Sequence, residues 1–252
     1  MNKLAALFLF CVTAAHAAST LTPDMRITSE VLGYELQYRV YLPDGYESQA
    51  NLAVLYVTDG PGYIKMGKMP RVLNRLIRQG RIDPVIVVFV DARDPDDLTV
   101  NRRNDQFACN QDYLAFFATE LIPTIENDYP AASDRAKRSI LGVSFGGMNA
   151  ACFGLIGSDT FSGIGMHSPA NHPVPALLPA YEKAPLLPLR VFLSTGDRYD
   201  NQKSNRRFRK ILRDKGYPMK YMEVPKQHNW ENWQPLVDDV LLFFFAKEAT
   251  NE

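Results

Sequence analysis

The period of the apolar positions changes several times along the chain, and each change marks an element. Over residues 31–42 Leu32, Tyr34, Leu36, Tyr38, Val40 and Leu42 alternate with other positions, which predicts an antiparallel strand with one buried face. Pro43-Asp44-Gly45 turns it. Residues 52–57, 85–90, 140–143, 189–194 and 220–224 are short strand-like runs, with VIVVFV at 85–90 the strongest and 164–166 a weaker addition. Runs apolar on both faces belong to a parallel sheet covered by helices. Between them the period becomes three to four, predicting helices over 71–78, 112–128, 145–155, 202–215 and 234–247. In 112–128 Leu114, Phe117, Leu121 and Ile125 share one face, flawed by Pro123. Phe208, Ile211 and Leu212 share a side of 202–215, and Gly216 stands where a C-terminal cap is expected. Strands alternating with helices predict an α/β fold with a doubly wound, mostly parallel sheet and an antiparallel N-terminal strand. No linker composition interrupts the pattern, so residues 18–252 are expected to form one domain. Residues 169–188 hold six prolines. That rules out one long helix and predicts a large loop over a sheet edge.

The first residues follow another logic. Lys3 precedes an apolar run from Leu4 to Val12, too short to cross a membrane, and Ala15-His16-Ala17 has the small-x-small form of a signal-peptidase site. The segment 1–17 is therefore expected to be a signal peptide cleaved after Ala17, placing the protein in the periplasm or outside the cell. Phe10 before Cys11 makes a poor lipoprotein signal. Cys109 and Cys152 remain in the mature chain, as a pair or as two buried thiols. No other apolar run reaches the length of a membrane span.

Composition removes whole classes of function. At 252 residues, 46% apolar and 22% charged, the chain can bury a full core, which excludes disorder. Lys plus Arg and Asp plus Glu are each 28, so nothing electrostatic favours nucleic acid as a partner. There is no metal-ligand cluster, P-loop or dinucleotide fingerprint, so no cofactor is expected. Nothing in the pattern specifies an oligomer.

The chemistry concentrates at Gly142-Val143-Ser144-Phe145-Gly146, a G-x-S-x-G between a predicted strand and a small-residue helix. That is the context of a nucleophile elbow, which holds a serine in a strained turn with its hydroxyl projected outward. The flanking glycines lack the Cβ atoms that would clash there. The Phe145 N–H at the helix start is placed to bind a developing oxyanion. A serine needs a base, and His228 lies just beyond the last predicted strand, where an α/β-hydrolase carries its histidine. His167 is the lesser candidate. An acid should follow the preceding strand, where Asp197 and Asp200 both stand. Asp200 is preferred and Asp197 is the alternative, and either suits a turn or helix cap instead.

These blocks resemble an esterase family of α/β-hydrolases that includes enterochelin (siderophore) esterases, microbial feruloyl esterases, S-formylglutathione hydrolases and mycolyltransferases. The resemblance runs from about residue 31 to 246. It rests on Leu55-Tyr56-Val57-Thr58-Asp59-Gly60, on GVSFGG at 142–147, on Asn205-Arg206-Arg207-Phe208, and on the block 221–233, whose His228, Trp230 and Trp233 are similar to the family's H-x-W-x-x-W signature. It implies an α/β-hydrolase fold and a serine esterase acting on a small-molecule ester, with siderophore, aryl and feruloyl esters as candidate substrates. Two departures stand out. Many members carry the acid three residues after a glycine and six before the Asn-Arg pair, which here is Tyr199. The family's second oxyanion donor usually follows the Asp-Gly pair, which here is Pro61, with no N–H to give. The donor must shift to Gly60 or Gly62, with Gly62 preferred.

Around the site, Tyr63, Met66, Met69, Trp230 and Trp233 are candidates to wall an aryl or acyl pocket, although such residues are more often plain core. Arg102 and Arg103 are candidates to meet an anionic or catecholate group, although two solvated loop arginines are the commoner reading of such a pair. Two further functions share these residues: an acyltransferase using the same nucleophile, and a catalytically silent binding protein on the same fold.

Overall fold

The structure, a computed structural model, describes residues 18–247. The segment read as a signal peptide lies outside them. Among the described residues nine strands form one sheet: β1 Thr20–Leu21, β2 Met25–Ser29, β3 Tyr34–Leu42, β4 Ala53–Val57, β5 Val85–Asp91, β6 Arg138–Val143, β7 Gly163–His167, β8 Arg190–Gly196 and β9 Met219–Val224. The order is β1-β3-β5-β4-β6-β7-β8-β9, with β2 also paired to β3. β3 runs antiparallel to β5, while β5, β4, β6, β7, β8 and β9 are mutually parallel. The doubly wound α/β-hydrolase sheet with its antiparallel opening is the observed architecture.

Side chains leave a strand alternately on its two faces, and the two cores follow that rule. Val54, Tyr56, Val88, Ile140 and Ile164 pack on one face; Leu55, Val57, Val87, Phe89 and Leu141 pack on the other. The helices are α1 Gly60–Lys65, α2 Met69–Arg78, α3 Arg103–Phe107, α4 Gln111–Phe116, α5 Ile122–Asp128, α6 Phe145–Ile156, α7 Leu177–Lys183, α8 Gln202–Lys215, α9 Trp230–Trp233 and α10 Val237–Phe245. α4, α6, α7 and α8 cover the first face, and α2 and α10 the second.

Several expected boundaries shift for identifiable reasons. The strand expected over 31–42 begins at Tyr34, because Gly33 (φ 74°) donates to the Ser29 carbonyl and folds β2 back as a hairpin partner. The helix expected over 112–128 is α4 and α5 joined by a π-type turn at Phe117–Leu121, two residues ahead of Pro123. Pro123 has no N–H, and the wider turn accommodates its ring. The helix expected over 234–247 is the shorter α10, with α9 as a separate turn ahead of it. The proline-rich stretch 169–188, expected as loop, contains α7. Pro179 falls in its first turn, where no intrahelical N–H is needed, and Leu177, Leu178 and Tyr181 are buried.

Cys109 and Cys152 form a disulfide that pins the turn after α3 to the middle of α6. The sequence separation is 43, for which loop closure predicts about 4 kcal/mol of stabilisation. Reduction is expected to lower Tm by about 10 °C. Calorimetry with and without reductant checks this, and a shift under 2 °C would contradict it. Among the described residues no helix is long and apolar enough to cross a membrane.

Candidate active site

The parallel strands deliver their carboxyl ends to one edge of the sheet, and the loops there carry the chemistry. β6 ends at Val143, and Ser144 turns sharply into α6 with φ 57° and ψ −114°. A Cβ on Gly142 would overlap the Gly146 carbonyl. One on Gly146 would lie 2.7 Å from Asp59 Oδ2 and 2.8 Å from Thr58 Oγ1. Only glycines fit both flanks. The turn is held from outside, since Ser144 N–H donates to the His167 carbonyl at 2.8 Å and Ala170 N–H to the Ser144 carbonyl at 3.0 Å.

His228 stands in the loop after β9. Its Nε2 lies 2.8 Å from Ser144 Oγ and its Nδ1 lies 2.6 Å from Asp200 Oδ1. The structure thus brings Ser144, His228 and Asp200 into one chain of hydrogen bonds. Asp197 stands apart, exposed, 3.7 Å from Arg198. The Asp200 side chain is fully buried. Burial alone would raise its pKa, but bonds from His228, Ser168 Oγ, Gly196 N–H and Asn201 N–H outweigh that and hold it below the ordinary carboxylate value. Behind it Asn232 Nδ2 donates to Asp200 Oδ2 at 3.1 Å, and Trp233 Nε1 donates to Ser168 Oγ at 2.9 Å. The Trp233 ring meets the His228 ring edge-on at 4.9 Å. Asn232 and Trp233 sit within the motif block already noted. Ser168 carried no signal in sequence.

The other histidine candidate is no base. His167 is fully buried between Tyr63 and Phe192, with Nδ1 2.9 Å from Ser194 Oγ. Burial lowers its pKa from 6.5 to about 3. The unfolded chain binds this proton below pH 6.5 and the folded one does not, so stability falls as pH drops from 6.5 toward 3. About 2 kcal/mol should be lost from this group between pH 6.5 and 5. Urea unfolding at the two pH values is expected to show a smaller loss in His167→Gln; an equal loss would refute the assignment.

The cleft over Ser144 has a volume of about 390 Å³. Pro61, Met66, Trp230 and Trp233 line its apolar end, and Asp59, Asp91, Arg93, Asn101 and Arg103 its polar end. Arg103 grips Asp59 bidentately at 2.7 and 2.8 Å and reaches the Val143 carbonyl at 3.2 Å. Burial raises the Asp59 pKa, and the Arg103 bond works against that. Four expectations change. Tyr63 is wholly buried, its ring meeting Trp230 from behind, so it does not wall the cleft. Met69 is likewise core. Arg102 pairs with Asp94 and stacks over Tyr34 at 4.4 Å, outside the cleft lining. Gly62 cannot serve an oxyanion, because its N–H closes the first turn of α1 on the Asp59 carbonyl at 2.9 Å. Asp59 has φ 57° and turns the chain directly into that helix, leaving Gly62 N–H facing the carbonyl. The N–H groups of Gly60 and Phe145, each the first residue of its helix, have no protein acceptor among the described residues.

A family model described as "Putative esterase" matches residues 29–244. Among curated proteins the chain is 25% identical over 230 residues to the uncharacterized protein YjcH of Bacillus subtilis, covering 86% of this chain and 95% of that one. It is 27% identical over 188 residues to an endo-1,4-beta-xylanase/feruloyl esterase of Xylanibacter ruminicola, covering 71% of this chain but 25% of that one. Among solved structures, a ferulic acid esterase superposes with TM-score 0.78 at 23% identity, covering 90% of this chain and 98% of the other. The enterobactin esterase FES from Shigella flexneri superposes at 0.80 and 19% identity, covering 91% and 60%. The likeness to these structures bears on the fold, and the family match spans most of the chain. The chain belongs to the esterase family of α/β-hydrolases, and it is a carboxylic-ester hydrolase.

Proposed function

We propose that this protein is an exported serine esterase working through Ser144, His228 and Asp200. The observation that carries the reading is the unbroken chain from Ser144 Oγ to His228 Nε2 and from His228 Nδ1 to Asp200. His228 takes the Ser144 proton as Oγ attacks the ester carbonyl. The oxyanion is held by Phe145 N–H, with Gly60 the glycine that still has an N–H to offer. His228 then gives its proton to the leaving alcohol, and an acyl-enzyme forms. Water, deprotonated by His228, attacks the acyl carbon, and the acid leaves as Ser144 recovers its proton. Asp200 keeps the proton of His228 on Nδ1 throughout, so that Nε2 faces the serine. Similar proteins are named feruloyl and enterobactin esterases, which makes carboxylic esters of that kind candidate substrates.

The test is labelling with a fluorophosphonate. One adduct on Ser144, absent from Ser144→Ala, is expected; an unlabelled parent would refute the reading. Export is supported by the Lys3-led apolar segment and by the disulfide. Intact mass of periplasmic protein is expected to show a chain beginning at Ala18, and a sole species retaining Met1 would contradict it.

A further inference from the structure

The polar end of the cleft offers donors and almost no acceptors. Asp91 Oδ1 accepts Arg93 N–H at 3.0 Å and Nε at 2.9 Å, while Oδ2 accepts Gln37 Nε2 at 3.1 Å and Arg93 Nη2 at 2.6 Å. Both Asp59 oxygens are gripped by Arg103, and Oδ2 rests on Gly146. Asn101 Oδ1 accepts Arg103 N–H at 3.0 Å. What remains is Nη1 of Arg93, Nη1 of Arg103 and Nδ2 of Asn101, none with an acceptor among the described residues. A ligand hydroxyl or ammonium entering this end finds the carboxylates already engaged. A ligand carboxylate finds donors on two guanidiniums already fixed in place by their own ion pairs, so little side-chain freedom is lost on binding.

The two ends of the cleft also sort the two halves of an ester. His228 must protonate the leaving alcohol, and its ring stands against Trp233, with Trp230 beside that at 5.5 Å. The alcohol half therefore lies along the tryptophans. The acid half extends the other way, toward Arg103, which touches the carbonyl of the residue before Ser144. We infer that the acid half of the substrate carries an anionic, acceptor-only oxygen group, such as a terminal carboxylate, bound by Arg93, Arg103 and Asn101. This rests on the esterase reading and names a substrate class for it.

Two esters of the same alcohol test it: 4-nitrophenyl hydrogen adipate, with a terminal carboxylate, and the uncharged 4-nitrophenyl heptanoate of similar length. After subtraction of spontaneous hydrolysis, kcat/KM is expected to favour the adipate by about tenfold. Arg93→Gln should bring the ratio near unity. Asn101→Leu should at least halve it, and carries the test alone should circular dichroism show Arg93→Gln unfolded. Equal kcat/KM for both esters in the parent would overturn the inference, as would a preference surviving the variants. Hydrolysis of neither ester by the parent would overturn the esterase reading itself, and the inference with it.

Discussion

Replacing Ser144 by alanine is expected to lower kcat for ester hydrolysis by at least ~10³-fold while leaving the fold intact. The two halves of that expectation have separate grounds. Without Oγ no acyl-enzyme forms, and what survives is the modest acceleration of water attack by the oxyanion donor and by binding. The fold should tolerate the change because the side-chain hydroxyl bonds only to His228 Nε2 among the described residues. The elbow is fixed instead by backbone bonds through Ser144 N–H and C=O to His167 and Ala170, which alanine keeps. Alanine at φ 57° also carries nearly the same backbone strain as serine, since each has one Cβ. Steady-state kinetics on a 4-nitrophenyl ester, with near-UV circular dichroism as the control, decide it. Activity within tenfold of the parent would remove Ser144 from the mechanism.

The elbow was readable in sequence because its requirements are local. A strand, two glycines with no room for Cβ and a helix start are all within a few residues, and the close approach of Gly142 to Gly146 is the reason for the spacing. His228 was readable from its place just beyond the last strand, although β7 and β8 stand between β9 and β6 and the loop must reach back across them to meet Ser144. What was not readable depends on contacts between distant segments. Nothing near Ser168 predicts that it would receive Trp233 Nε1 and donate to Asp200. Arg102 and Arg103 are neighbours of the same type, yet the chain entering α3 sends one to Asp94 and the other to Asp59. Gly62 looked open because the pattern carries no record of which N–H the Asp59 carbonyl captures. α7 was hidden by prolines, since counting them does not reveal that Pro179 falls in a helix's tolerant first turn.

The acid is where sequence left two alternatives, and where the second large effect is expected. Asp200→Asn should lower kcat by about 10⁴-fold, the scale seen when a triad carboxylate loses its charge. Asparagine has one carbonyl oxygen where aspartate has two, and Asp200 uses both. Oδ1 faces His228 Nδ1 and Asn201 N–H, while Oδ2 faces Ser168 Oγ, Gly196 N–H and Asn232 Nδ2. With its amide nitrogen toward His228, the variant donates to Nδ1 and drives the ring proton to Nε2, where it cannot accept from Ser144. Turned the other way, the amide nitrogen confronts the donors of Gly196 and Asn232 in a buried position, which costs on the order of 1–3 kcal/mol of stability. The first outcome removes the base, and the second weakens the loop that holds it. Asp197→Asn touches none of this. Its side chain is exposed and meets only Arg198 at 3.7 Å, a surface pair whose loss should change stability by less than about 1 kcal/mol and kcat by less than about twofold. Measuring kcat and urea stability for both variants separates the cases. If Asp197→Asn is the more damaging, the acid is Asp197. If neither slows the reaction more than tenfold, Ser144 and His228 work as a pair and the carboxylate only shapes the loop.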